Sequence, residues 1–190
     1  MSPVAEASID TAELTRGQRG ILATLAAADY VDQLSRFERS SSTESWRAKQ
    51  IERERKYSSR GRILIVKWRD YGQPLPGWFD PVMQGFADLI TLDPKWDSYR
   101  GKIIERAVIE KAIAVLDALL TPTSPAPSIV PLSSGGLQVE WHRSDQDLEI
   151  VFEPRQTPEF SYKNARSGAE EEGLVSSRWG LLIQLIRALE

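Results

Sequence analysis

The chain has no cysteine and only one histidine among its 190 residues. Without cysteine there is no disulfide, no thiolate zinc site and no cysteine nucleophile. A lone imidazole also excludes a multi-histidine metal cluster. No run approaches the roughly 18 consecutive apolar residues of a membrane helix, so no membrane association is expected. The opening stretch, MSPVAEASIDTAEL, has neither a basic n-region nor an apolar h-region, which predicts no signal peptide and a cytoplasmic, bacterial-type protein. Strong net charge is absent too. With 24 Lys and Arg against 27 Asp and Glu, the formal charge is −3, which gives no whole-molecule case for nucleic acid or an anionic membrane. Such a case must rest on local patches.

What is present is globular material, long enough for one core of ordinary size with appendages. The pattern predicts an α+β fold. A small antiparallel sheet, the hairpin 137–153 with flanking strands, packs on a helix over 103–120. A helical N-terminal segment and a C-terminal amphipathic helix complete it. Three regions follow: a helical, basic-ended extension over 1–61, an α+β core over 62–165, and an acidic linker with a helix over 166–190.

Residues 2–10 are small and polar and read as frayed. A helical period begins near Thr11, with Leu14, Ile21, Leu25, Ala28 and Leu34, and its firm part is expected over 20–39. A second helical segment, ESWRAKQIERERKY, follows the polar break at 40–43. It opens a locally basic stretch. Seven cations (Arg47, Lys49, Arg53, Arg55, Lys56, Arg60 and Arg62) stand against Glu52 and Glu54, with Trp46, Tyr57 and Trp68 nearby. Phosphate binding with base stacking is one reading. A solvated helix whose Glu and Arg side chains pair at short spacing is the other.

Ile63–Trp68 (ILIVKW) is a β-branched apolar run that predicts a strand buried on both faces. The following DYGQPLPGWFDPV holds three prolines and two glycines and predicts a loop. Its Trp78 and Phe79 either tuck under the domain or offer a binding surface. A short helix over 82–92 follows, with Asp80 as its cap.

Asp93-Pro94 then opens a turn containing Trp96, Asp97 and Tyr99. Asp97 suits a turn lock that accepts backbone N–H groups, with the flanking rings pinning the turn to the core. The helix over 103–120 has a double apolar stripe, which predicts cover on two sides by the sheet and by a terminal helix. Prolines then impose an extended path to Ile129-Val130, an edge strand. Leu137, Val139 and Trp141 alternate with Gln138, Glu140 and His142, and Leu148, Ile150 and Phe152 answer from the returning strand. EFSYK adds a third strand. The stretch 166–173 reads as a flexible acidic linker. In the last helix, Trp179, Leu182, Leu185 and Ile186 form an apolar face too wide for water. It folds back, meets a second copy, or docks into a partner.

Little of this carries chemistry. Gln138, Glu140 and His142 share the outward strand face, with Glu149 and Glu153 across from it. An acid/base pair of His142 with Glu140 is the enzymatic alternative. Asp70, Asp80, Asp88, Asp93 and Asp97 fall at cap and turn spacings, with no recognised metal-ligand spacing. Gly135-Gly136 precedes a strand and so lacks the helix N-terminus of a phosphate cradle. No metal or cofactor is expected.

WDSY followed by a helix, then PAPSIVP, GGLQVEWH and LEIVF, resembles a group of small uncharacterised bacterial proteins. Its members carry W-D-[SG]-Y, a helix and a GG-x-Q-x-E-W-x hairpin. The likeness spans about 92–153, with Arg100 where many members have glycine or alanine. It implies an accessory protein of a mobile-element or defence operon, such as an antitoxin-like partner. The expected function is therefore non-enzymatic binding of a protein partner, or self-association, through Trp78, Phe79, Trp179, Leu182, Leu185 and Ile186. Trp96, Asp97, Tyr99 and Trp141 are expected to be structural. Nucleic-acid binding by Arg47, Lys49, Arg53, Arg55, Lys56, Arg60 and Arg62 is the alternative.

Overall fold

A computed structural model describes residues 8–15, 51–70, 72 and 74–190. The expected helix over 20–39 lies outside these residues, as do Trp46, Arg47 and Lys49. The described chain is α+β with two sheets. Strands β1 (Ser8–Thr15), β2 (Ile51–Ser59) and β3 (Arg62–Asp70) form a three-stranded sheet in the order β1-β3-β2. Strands β4 (Ser128–Pro131), β5 (Leu137–Arg143), β6 (Gln146–Phe152), β7 (Glu159–Asn164) and β8 (Ala169–Leu174) form a five-stranded antiparallel meander in chain order. The helices are α1 (Phe79–Leu89), α2 (Arg106–Leu119) and α3 (Trp179–Ala188). Among the described residues no helix is long and apolar enough to cross a membrane.

The expected elements of the core are present, with a larger sheet. Helix α2 buries Val108, Ile109, Ala112, Ile113, Leu116 and Leu119, and meets β6 on one side and α3 on the other. The hairpin is β5–β6, EFSYK is β7, and Ile129-Val130 lies in the edge strand β4.

Four expectations are corrected. The stretch 51–57 is a strand, not part of a helix, because β2 pairs along its whole length with β3. Arg60 at φ 43 and Gly61 at φ 78 form the turn between them. Positive φ at both central residues is the hairpin turn that matches strand twist. Cross-strand pairing to an apolar partner here overrides helix-compatible charge spacing. The boundary expected at 61/62 thus falls inside a hairpin.

Residues 8–15 are likewise a strand, parallel to β3, rather than a frayed end leading into a helix. The supposed acidic linker contains β8, paired throughout with β7. Asn164 Oδ1 accepts the N–H groups of Arg166 and Ser167 at 3.0 Å, which closes the turn between them. Lys163 meets Glu170 at 2.8 Å across the pair. A charged edge strand protects the meander from further pairing. Finally, β3 is buried on one face only. Leu64, Val66 and Trp68 are inside, while Ile63 is 44% exposed.

The core lies between the two sheets and the helices. Helix α1 packs on β2 and β3 with one side and on β4 with another, which joins the sheets. It begins at Phe79, three residues earlier than expected, with Asp80 in its first turn. Asp80 does not cap the helix through its side chain. Instead it accepts hydrogen bonds from Arg55 and from the Tyr57 hydroxyl, the latter at 2.6 Å, which tie β2 to the helix start. The Arg55 guanidinium, followed by the Tyr57 hydroxyl, holds the Asp80 carboxyl below its ordinary range. Burial and the Asp80 contact push the Tyr57 phenol up.

Candidate functional site

Trp78 and Phe79 are core residues, 1% and 3% exposed, and not a partner surface. The Trp78 indole N–H donates to the Thr121 carbonyl at 2.9 Å, so a buried polar atom is satisfied inside the fold. Helix α3 folds back on its own chain. Leu182 and Ile186 are fully buried, while Trp179 and Leu185 are half-buried against the same core. Behind it, the Glu190 carboxylate accepts hydrogen bonds from the hydroxyls of Thr121 at 2.7 Å and Ser124 at 3.1 Å. All six residues expected to hold a partner therefore serve the fold. Apolarity in sequence marks a face to be buried without saying against what.

The basic segment is divided by its strand. Alternation sends Arg53 and Arg55 to one face of β2 and Lys56 to the other. Arg55 is engaged with Asp80, and Lys56 and Lys67 both approach Glu54, at 3.8 and 3.9 Å. Arg62 donates to the Ile90 carbonyl and reaches Asp93 at 3.3 Å. Arg60 sits in the turn. The described members form no single stripe for a phosphate backbone to follow.

One exposed feature of the domain is the turn read as its lock. Asp97 Oδ1 accepts the N–H groups of Tyr99 and Gly101, both at 2.8 Å. Its Oδ2 accepts the Ser133 hydroxyl at 2.7 Å, from the β4–β5 connection. These donors, Ser133 first, hold the Asp97 carboxyl below its ordinary range. The Lys95 N–H closes the loop onto the Gly101 carbonyl at 2.6 Å, and the Trp96 indole donates to Lys102 O at 3.1 Å. A Cβ at Gly101 would lie 2.8 Å from Trp96 Nε1, so glycine is required there. The lock thus forms as the sequence suggests, but one ring does not pin it. Tyr99 is 81% exposed. A rigid turn holds this aromatic ring out in solvent. Lys95 and Ser98, at φ 66 and 65, are also kept in the left-handed region, which only a well-braced loop sustains.

Beside this turn lies an open cleft of about 110 Å³ between β3, the end of α1 and α2. Leu89, Ile90, Leu92, Ile103, Ile109 and Ile113 supply its apolar wall, and Arg62 and Arg106 line it with their half-exposed guanidiniums. An engineered cavity of about 150 Å³ takes up a benzene ring, so this one has room for a single aliphatic side chain. Ile103, 54% exposed, belongs to the cleft and follows the turn directly. Lys95, Arg100 and Lys102 are exposed in the segment that joins Leu92 to Ile103, two residues that line the cleft. Of the acids nearby, Asp93 faces Arg62, Glu110 faces Arg106 at 2.7 Å, Asp97 is consumed by the lock, and Glu105 is exposed between Ile104 and Arg106. The surface is apolar at its centre, with charges of both signs at its edge.

Comparison with protein-family models, with curated proteins and with solved structures finds no match.

A second group lies on the outward face of the five-stranded sheet, where Glu140 and His142 stand as expected. Two of their neighbours differ from expectation. Glu140 is directly opposite Glu149, and His142 opposite Asp147, while Glu153 falls beyond the end of β6. His142 Nδ1 is 2.7 Å from Asp147 Oδ1, and its Nε2 is 3.4 Å from Glu140 Oε2. Asp147, then Glu140, raises the imidazole pKa above its ordinary value. Gln138 donates to Glu140 Oε2 at 3.1 Å. Ligand atoms of Glu140, His142 and Glu149 all lie within 4.8 Å of one another, so these are the residues able to hold a metal ion among those described. The overlooked signal was the two-residue turn Ser144-Asp145, which fixes the register that makes Asp147 the histidine's partner.

Proposed function

We propose that this chain is a non-enzymatic accessory protein, antitoxin-like in role, that binds a protein partner with the 93–103 turn and the adjoining cleft. The observation that carries this reading is Tyr99, held 81% exposed on a turn with a three-donor lock, between Leu92 and Ile103, which line an open apolar cleft. Preorganised aromatic rings beside apolar pockets are where binding energy concentrates in protein interfaces, because little conformational freedom is lost on contact. The partner presents one aliphatic side chain for the cleft and carboxylates for the exposed Arg100 and Lys102 of the turn segment. Such complementarity gives register and association rate more than affinity.

The experiment is site-specific photocrosslinking in the native cell. A photoreactive phenylalanine replaces Tyr99 in one version of the protein and Ser161, exposed on the outward face of the five-stranded sheet, in another. The expected result is one dominant adduct from position 99 that position 161 does not form. Adducts of the chain with itself would replace the partner by self-association. Identical adducts from both positions, or none, would refute the reading.

A further inference from the structure

The outward face of the meander carries a constellation separate from the partner-binding surface. We propose that Glu140, His142 and Glu149 form a binding site for a divalent first-row transition-metal ion of the zinc class, oriented by Asp147 as an outer carboxylate. The geometry supports this in four ways.

The donor atoms already converge, since all three lie within 4.8 Å of one another before any ion is placed. Next, the imidazole is presented as a ligand is. Asp147 occupies Nδ1 at 2.7 Å and leaves Nε2 facing the Glu140 carboxylate. Metal-bound histidines almost always give their second ring N–H to a carboxylate or carbonyl, which fixes both tautomer and ring plane. The two glutamates, moreover, are direct cross-strand partners. Like charges in that position destabilise a sheet, and a cation between them turns the repulsion into attraction. Lastly, the donors stand on two fully paired central strands, with Gln138 bracing Glu140 at 3.1 Å. Ligands on rigid elements are placed more exactly than ligands on loops.

One imidazole with two carboxylates is a mixed N/O set that suits zinc, cobalt or manganese better than calcium or magnesium. Three protein ligands leave coordination positions for water or for a further donor, as open zinc sites do. The single histidine of the chain makes the site readable without ambiguity.

The test uses the full, tag-free chain stripped of metal with a chelator. Zn²⁺ is titrated by calorimetry, Co²⁺ by visible absorption, and the imidazole nitrogens are followed by NMR. The expected result is one ion per chain with a shift at His142 Nε2. Glu149→Gln should remove binding, and Asp147→Asn should weaken it about 10–100-fold, the usual cost of losing an orienting carboxylate. These residues lie on the sheet surface, and circular dichroism of each variant checks that the fold is kept. No saturable binding at millimolar Zn²⁺ would overturn the proposal. Binding that is unchanged in Glu149→Gln, or in Asp147→Asn, would do the same, because the ion would then sit elsewhere or need no such orientation.

Discussion

The Ser133 hydroxyl donates to Asp97 Oδ2 at 2.7 Å, joining two loops 36 residues apart in the chain. That bond anchors the Tyr99 turn to the β4–β5 connection. Asp97 has its pKa lowered in the fold, so its contribution is present above its ordinary value of 3.8 and is lost as pH falls through the lower folded value. The turn should therefore loosen only below about pH 3.8, while the core persists. Hydrogen exchange at the Tyr99 and Gly101 amides, measured from pH 6 downwards, checks this. Ser133→Ala should speed exchange at those amides above about pH 3.8, where the Asp97 carboxylate is charged, and unchanged protection there would show that the anchor is idle.

Gly101 and Gly180 should respond in opposite directions to alanine. A Cβ at Gly101 would press on Trp96 and Asp97 at 2.8 and 2.9 Å, so Gly101→Ala should destabilise the turn. Gly180 lies in α3 with nothing within 4 Å of a built Cβ. Gly180→Ala should stabilise the protein, by less than the roughly 0.5–1 kcal/mol that glycine costs in a helix interior, because it stands in the first turn. Thermal melts of the two variants give both signs.

Trp78→Ala should cost about 3–5 kcal/mol, the range for deleting a buried aromatic side chain. The ring is 1% exposed and its N–H would leave the Thr121 carbonyl without its donor. Denaturant unfolding measures the loss. A variant with wild-type stability would return Trp78 to the surface role first read for it.

The meander and α2 were legible because their residues obey a single period. Leu137, Val139 and Trp141 alternate cleanly, and Val108, Ile109, Ala112 and Ile113 recur at helical spacing. β2 was not, because Glu52, Arg53, Glu54 and Arg55 suit a paired helix as well as a strand. Only the contact with Leu64 and Val66 decides between them. β8 was hidden for a similar reason, since its stability comes from pairing with β7 and its glutamates carry no apolar mark. Trp78 and α3 show the opposite failure. Their apolarity was read correctly, but which surface covers it is a property of the whole fold. Tyr99 was missed as an exposed ring because its motif looked purely structural, and the lock and the display turn out to be the same device.

The central claim concerns one surface, so its most direct test is the affinity of the crosslinked partner for four versions of the chain. Tyr99→Ala and Ile103→Asp should each weaken binding at least about tenfold, as the loss of a hot-spot contact does. Ser161→Ala should bind like the unaltered protein. Equal affinity for all four would contradict the account.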